Sequence, residues 1–333
     1  MADISLADIK KLRDMTSAGM MDCKKALTEA EGDFKRAVEI LREKGKSTLA
    51  KRGDNETTQG AVLARVKDNQ AILVCLGCET DFVAATPDFK HLAETIAAEA
   101  ISEFPADLEA LKAQKTASGY TLDEDITNQA GKTGEKHVLA YYGCIEAPFV
   151  SEYVHFNHKL GAIVGFNKVV PNDIARGIAM QVASMNPVAV DEDSVPAEVL
   201  ESERTVAIQK TKDEQVQKAV DAALKKVGIN PAHVDSEDHI ESNTAKGWLT
   251  VEQAAQAREI IAKVGAETLA SLEQKVQMIN GIVNGRIQKF LKENTLMEQE
   301  YQLSDDKATV AAALKAADAE AKVLAFKRFS LAD

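Results

Sequence analysis

The sequence predicts an α+β protein in which two α+β modules are interrupted by a helical insertion. Three observations support this class. Residues 1–46 carry apolar residues at helical spacing between polar caps. From Gly60 the apolar period changes to two, which is typical of strands. Residues 195–293 return to a helical composition that is rich in Ala, Glu, Gln, Lys and Val, with helix breaks predicted at 228–231 and 243–247.

Residues 1–46 predict three short helices. Asp33 caps the third of them, which is predicted to stop at Gly45. Helices this short are not stable alone, so they must pack together as a bundle. The adjacent Met20 and Met21 point to different helix faces, so one of them faces solvent, a partner or a loosely packed core position.

A β-hairpin is predicted after a polar linker, residues 47–59. Residues 61–66 and 71–76 form its strands, because β-branched and apolar residues alternate on either side of a short turn. A helix is then predicted from Thr86-Pro87-Asp88, where a capping hydroxyl precedes proline and an acidic residue. The capping-box sequence Thr121-Leu-Asp-Glu124 predicts the start of another helix.

The stretch Thr80–Val83 joins that second strand to that helix, with only a few residues in which to turn. Phe82 therefore lies at the exposed tip of the turn or covers the local core. The helical periodicity of the apolar residues that follow favours the covered position.

Further strands are predicted at residues 137–145, 150–157 and 161–170. Asp305 is predicted to cap a last helix, and residues 323–329 to form a last strand that pairs with the earlier sheet. The pattern divides the chain into a helical bundle (1–46), a linker (47–59), a first core module (60–148), a second core module (149–190 and 291–333) and a helical, coiled-coil-like insertion (191–290).

Composition limits the classes of function. The chain has 333 residues and a net charge of −12, which argues against a broad phosphate-binding surface and so against direct nucleic-acid binding. No apolar run approaches the roughly 20 residues needed to span a bilayer, so no membrane contact is predicted. Four scattered cysteines favour a reducing compartment, and we expect the protein to be cytoplasmic.

Cys75 and Cys78 form a CxxC pair, a spacing found in zinc and redox sites. On a strand, residues an odd number apart point to opposite faces, so the two thiols should diverge. The same argument separates His155 from His158 on the predicted strand 150–157. The residues therefore predict no catalytic site, metal or cofactor. A zinc- or thiol-dependent enzyme using Cys75/Cys78 and His155/His158 is the alternative.

Two stretches resemble the signatures of the elongation factor Ts family, Leu12–Leu27 (LRDMTSAGMMDCKKAL) and Cys78–Val83 (CETDFV). Shorter matches follow at 132–135, 156–158, 161–165, 177–183, 196–200, 285–290 and 325–329. The resemblance implies a ubiquitin-associated-like three-helix bundle, a two-subdomain α+β core with antiparallel sheets and an inserted long helical hairpin. It also implies a guanine-nucleotide exchange factor of translation elongation, which is not an enzyme and binds elongation factor Tu with no cofactor.

The resemblance further implies which residues meet the partner. Those that would press beside the magnesium ion of elongation factor Tu are Thr80, Asp81, Phe82 and Val83. Those that would make other contacts with it are Met20, Met21, Thr133, Gly134 and His158.

The chain departs from the family pattern at Thr133, where many members carry Ile, and in residues 211–274, which lengthen the typical hairpin. Two other possibilities stay open. One is a homodimer formed through the helical insertion. The other is an interaction scaffold whose bundle binds ubiquitin-like partners.

Overall fold

The computed structural model describes residues 4–16 and 18–332. The chain divides into two compact units, one formed by Met1–Val190 with Leu296–Asp333 and the other by Asp191–Thr295.

The first unit begins with the predicted three-helix bundle. Its helices are α1 (Leu6–Thr16), α2 (Met20–Glu29) and α3 (Phe34–Lys51). The carboxylate of Asp33 caps α3 by accepting hydrogen bonds from the amides of Lys35 and Arg36. The buried side chains that hold the three helices together include Leu12, Cys23, Leu27 and Ala37.

A first antiparallel sheet follows, in the order β1–β2–β3. Its strands are β1 (Gln59–Lys67), β2 (Gln70–Cys78) and β3 (His137–Glu146). The predicted hairpin is confirmed, with Gln59 opposite Cys78 in the register of β1 and β2. The central strand β2 is buried along nearly its whole length, because its odd- and even-numbered residues pack into different cores.

Four helices connect β2 to β3. They are α4 (Asp81–Ala84), α5 (Pro87–Glu103), α6 (Leu108–Lys112) and α7 (Leu122–Thr133). The predicted caps are confirmed: Thr86 caps α5, and Thr121 forms a capping box with Glu124 at the start of α7. The buried face of α5 packs on the first sheet, with Phe89 and Ile96 fully enclosed.

A second antiparallel sheet has the order β4–β5–β6, and α8 packs against it. The elements are β4 (Phe149–Val154), β5 (Leu160–Phe166), α8 (Asn172–Met185) and β6 (Val323–Ser330). The prediction that the last strand pairs with an earlier one is confirmed, because β6 is antiparallel to β5.

Two of the strand ends were predicted wrongly. β4 ends at Val154 rather than at residue 157, and β5 ends at Phe166 rather than at residue 170. β4 stops early because the chain reverses at once: the amide of His158 donates to the carbonyl of His155, and His158 has a φ of 55°.

The second unit, Asp191–Thr295, is helical as predicted. Its longer helices are α9 (Ala197–Lys226), α10 (Glu237–Ala245), α11 (Val251–Gln274) and α12 (Val276–Asn294). Both predicted breaks, at residues 228–231 and 243–247, fall between or at the end of helices. The break at Lys275 carries no Gly or Pro signal and was not predicted.

The last helix of the first unit is α13 (Val310–Ala317). It begins later than predicted, because Thr309 rather than Asp305 is its cap and accepts a hydrogen bond from the amide of Ala312 at 3.2 Å. Asp305 lies in the preceding loop, where Glu300 and Thr309 form an isolated antiparallel bridge.

The two sheets pack face to face, with helices on their outer faces. The shared core between the sheets includes Leu73, Cys75, Val150 and Ile163. α5 covers the outer face of the first sheet, while α8 and α13 cover that of the second. Within the described ranges 4–16 and 18–332, no helix is both long and apolar enough to cross a bilayer.

Helix α3 runs past Gly45 to Lys51, so the predicted stop at Gly45 is wrong. Gly45 instead lies against α7, where a Cβ built on Gly131 would come within 3.0 Å of the Cα of Gly45. The absence of a side chain at both positions lets the two helices approach closely. Beside this contact, Nη1 of Arg42 lies 2.9 Å from Oε1 of Glu124.

Candidate functional site

The exposed turn between β2 and α5 is the one-turn helix α4, and both of its ends are held. Thr80 is the N-cap, and its hydroxyl accepts a hydrogen bond from the amide of Val83 at 3.3 Å. After the turn, the hydroxyl of Thr86 donates to the carbonyl of Val83 at 2.8 Å. The thiol of Cys78 donates to the carbonyl of Thr80 at 3.2 Å.

Phe82 is 82% exposed at the tip of α4, and Asp81 beside it is also exposed. The covered position that periodicity favoured for Phe82 is therefore wrong. The physical reason is the helical turn itself, which directs Val83 and Ala84 toward the core of the first sheet and leaves Phe82 pointing outward. An isolated large aromatic side chain is thus presented to solvent on a capped support.

The segment after α7 lies against this turn. Gly134 ends α7 with a φ of 75° and reverses the chain, which brings Glu135 back toward α4. The carboxylate of Glu135 accepts two hydrogen bonds from Thr80, one from its amide at 3.1 Å and one from its hydroxyl at 2.7 Å. The hydroxyl of Thr133 accepts from the amide of Glu135 at 3.2 Å. The structure therefore brings Thr80–Val83 together with Thr133 and Gly134.

A second acidic residue anchors the end of β2. Glu79 accepts hydrogen bonds from Arg52 and Asn55, each at 2.7 Å, and from the amide of Lys136 at 2.5 Å. Burial acts to raise the pKa of Glu79, but these three donors outweigh it and lower that pKa from its ordinary value. Glu79 thus ties the end of α3 and the chain after it to the base of the exposed turn.

His158 lies in the turn between β4 and β5 rather than on a strand, and it is exposed. Its carbonyl accepts a hydrogen bond from the amide of Val62 in β1 at 2.7 Å. The ammonium group of Lys159 donates to Gln59, which pairs with Cys78 across the first sheet. The turn therefore lies at the same end of that sheet as α4. His155 and His158 were predicted to lie on one strand, and this is wrong, because both lie between the end of β4 and the start of β5.

Phe156 lies in this turn and is 85% exposed. It and Phe82 are the two most exposed large hydrophobic side chains among residues 4–16 and 18–332. Sequence reasoning did not select Phe156, although an aromatic residue inside a polar turn is the signal that could have identified it.

Met20 and Met21 lie on different faces of α2, as predicted. Met20 is half-buried against the core of the bundle, whereas Met21 is 65% exposed. The start of α2 lies close to the end of α7, because Asp22 and Lys132 line the same small pocket. The bundle therefore presents Met21 on a helix that starts beside the α7 end carrying Thr133 and Gly134.

The two cysteines of the CxxC pair lie on opposite faces of the first sheet, as strand geometry predicted. Cys75 packs between the two sheets, and Cys78 packs beneath α5. Burial raises the pKa of each thiol to about 12. Thiols with such a pKa stay protonated at neutral pH and are poor nucleophiles and metal ligands. In the described part of the chain, no cluster of three or more His, Cys, Asp or Glu side chains could hold a metal ion.

His137 lies beneath the exposed turn, 2% exposed at the start of β3. Its Nδ1 donates to the carbonyl of Glu135 at 3.1 Å. The centroid of its ring lies 5.7 Å from the centroid of the Phe89 ring. Nε2 of His137 is buried and has no hydrogen-bond partner among the residues that the structure describes. Burial lowers the pKa of His137, against smaller opposing contributions from Glu135 and Glu79.

We expect this histidine to make the protein less stable in acid. A pKa that is lower in the folded state means that the unfolded chain binds the proton more readily. The stability contributed by neutral His137 is therefore fully present above about pH 6.5 and is lost as the pH falls through the lower folded value. Thermal unfolding at pH 7.5 and 5.5 should show a smaller drop in Tm for His137→Leu than for the wild type. The exposed His91, changed to Leu, is the control and should leave the drop unchanged.

These features define a class of protein. Two exposed apolar side chains, Phe82 and Phe156, lie on turns at one end of the first sheet, and the thiols of Cys75 and Cys78 are buried with a raised pKa. Such an arrangement is typical of a protein that acts by contacting another protein.

Comparison with known proteins identifies the family. The family model described as elongation factor TS matches residues 79–333. Proteins named elongation factor Ts from Bacteroides thetaiotaomicron and Bacteroides fragilis are each 51% identical to this chain over 98% of both sequences. The protein of that name from Phocaeicola vulgatus is 50% identical, again over 98% of both. The chain belongs to the elongation factor Ts family of translation elongation factors.

Proposed function

We propose that this protein is the guanine-nucleotide exchange factor for elongation factor Tu. This protein binds the GDP-bound form of elongation factor Tu and perturbs the magnesium site of that partner. GDP is then released from elongation factor Tu, so that GTP can bind. The observation that carries the proposal is the exposure of Phe82, 82% accessible on a turn capped at both ends, with Asp81 beside it. Membership of the elongation factor Ts family supports the choice of partner.

Two physical effects would drive exchange. Burying an exposed Phe side chain contributes roughly 1.5–3 kcal/mol, which is enough to hold Phe82 in a pocket of the partner. A carboxylate such as Asp81, brought near a magnesium–phosphate site, repels the phosphates or competes for the groups that hold the ion. If the factor and GDP each weaken the binding of the other, the factor speeds GDP loss, and GTP later displaces the factor.

The proposed contact surface has a centre and a periphery. Its centre is Thr80, Asp81, Phe82 and Val83, which would act at the magnesium site. Its periphery is Thr133 and Gly134 beside α4, His158 in the β4–β5 turn, and Met20 and Met21 on the bundle. We add Phe156, because it is 85% exposed in the same turn as His158. The hydrogen bonds from Thr80 to Glu135 support grouping the centre with Thr133 and Gly134.

The remaining parts of the proposal follow from the family and from composition. The protein would act in the cytoplasm as an exchange factor rather than an enzyme, with no cofactor, nucleic-acid partner or membrane contact.

The division into bundle, linker, two core modules and the insertion 191–290 is proposed as it was predicted. The zinc- or thiol-dependent alternative is disfavoured by the burial of both thiols.

Release of labelled GDP from elongation factor Tu tests the function directly. Catalytic amounts of the protein should accelerate release strongly over the spontaneous rate, and excess unlabelled GDP should prevent rebinding. Bovine serum albumin at the same concentration is the control for nonspecific effects. A release rate that does not change with added protein, for every elongation factor Tu tried, would rule the function out.

A further inference from the structure

The turn that presents Phe82 lacks part of its own cap. In a capping box, the residue three positions after the N-cap is Glu or Gln, and its side chain accepts from the N-cap amide. For α4 the N-cap is Thr80 and the corresponding residue is Val83, whose side chain has no hydrogen-bond acceptor. The amide of Thr80 therefore needs an acceptor from elsewhere, because a half-buried N–H without one is costly.

Glu135 supplies that acceptor from 55 residues away. Its Oε2 accepts from the amide of Thr80 at 3.1 Å, and its Oε1 accepts from the hydroxyl of Thr80 at 2.7 Å. The second bond also orients the hydroxyl, whose oxygen then receives the amide of Val83 at 3.3 Å. One carboxylate thus completes the cap of α4 and links it to the end of α7.

Glu135 is itself held in place. Its amide donates to the hydroxyl of Thr133 at 3.2 Å, and its carbonyl accepts from Nδ1 of His137 at 3.1 Å. The preceding Gly134, with a φ of 75°, sets the direction from which Glu135 approaches. The carboxylate therefore has a fixed backbone behind it, as a side chain that orients another group requires.

Phe82 depends on this support because its own side chain has few contacts. At 82% exposure, the direction of its ring is set mainly by the backbone of α4. We propose that Glu135 is a positioning residue that completes the cap of α4 and so holds Phe82 ready for the partner. This inference rests on the proposed function, since Phe82 is there assigned to the partner's magnesium site. Preorganisation lowers the conformational cost of binding.

Three variants test the role. Glu135→Ala should lower the efficiency of catalysed GDP release by about tenfold, mostly by raising the concentration of elongation factor Tu at half-maximal rate. Glu135→Gln keeps the size and one acceptor oxygen, so its loss should be intermediate. Glu103→Ala removes an exposed carboxylate at the end of α5 and should match the wild type.

A double variant separates positioning from general destabilisation. If Glu135 acts through Phe82, then adding Glu135→Ala to Phe82→Ala should change the efficiency by less than about twofold. An additional loss as large as that of the single variant would overturn the proposal. So would wild-type efficiency in Glu135→Ala.

Amide hydrogen exchange of the free protein gives a readout that does not need the partner. Glu135→Ala should increase exchange at Thr80 and Val83, while Leu73 in the buried strand β2 stays protected. If wild-type protein fails to stimulate GDP release but this increase is seen, the cap stands and the proposed function fails. If exchange at Thr80 and Val83 does not change, the positioning role fails whatever the release assay shows.

Discussion

Phe82→Ala is expected to reduce the stimulation of GDP release from elongation factor Tu by about 10- to 100-fold, because burying a Phe side chain contributes roughly 1.5–3 kcal/mol. The change should leave the stability of the protein almost unaltered, since Phe82 is 82% exposed and buries little in the free protein. The measurement is the rate of labelled GDP release at several protein concentrations, together with the Tm of each variant.

The matched control is Val169→Ala, which also shortens an exposed apolar side chain. Val169 is 70% exposed and follows the end of β5 that is remote from the β4–β5 turn. Its exchange activity should equal that of the wild type. Exchange at the wild-type rate by Phe82→Ala would show that the exposed ring is not the group that acts on the partner. An equal loss in both variants would point to a general effect of shortening apolar side chains.

The position of Phe82 shows the limit of periodicity. The apolar residues of α5 follow a helical period that was read correctly, and Phe89 begins the buried face of that helix. The turn before that helix was recognised as a separate segment, but the apolar periodicity of its neighbour was used to place Phe82 over the local core. Since α4 is a separate turn with its own N-cap, its orientation is set independently of α5.

Local signals were sufficient for the caps of α3, α5 and α7, whose determining groups are neighbours in sequence. The capping box at Thr121 and Glu124 was predicted because its two members are three residues apart. The supports of the site were not predicted, because their partners are distant along the chain. Glu79 meets Lys136, and Glu135 meets Thr80, only after β2 and β3 have paired. A pattern within one segment of the sequence cannot predict such long-range contacts.

Gly45 was recognised in the sequence as a special position, but its structural role was predicted wrongly. Glycine after an amphipathic run is a common helix end, so α3 was predicted to stop there. The structure uses the missing side chain for a close approach between helices, and α3 continues to Lys51. A glycine required for packing and a glycine that ends a helix look alike in a single sequence.

Gly45→Ala is therefore expected to destabilise the first unit, by about 1–3 kcal/mol. A Cβ at Gly45 would overlap the carbonyl oxygen of Thr127, which belongs to the backbone of α7 and cannot rotate away. The helices would have to separate, which weakens the contact of Arg42 with Glu124 and of its guanidinium with the ring of Tyr120. Calorimetry should show a lower Tm for the transition of this unit, and limited proteolysis should cut faster after Lys51.

Gly281→Ala is the control, because the same substitution is expected to change stability in the opposite direction at that position. Gly281 lies inside α12, and a Cβ built there meets no atom within 4 Å. Because Ala is favoured over Gly in a helix interior by about 1 kcal/mol, Gly281→Ala should raise stability. Gly45 gains the same propensity on substitution, so a net loss there measures the overlap with α7. Equal stabilisation by both changes would show that α3 and α7 do not depend on this close approach, and that the bundle can shift without cost.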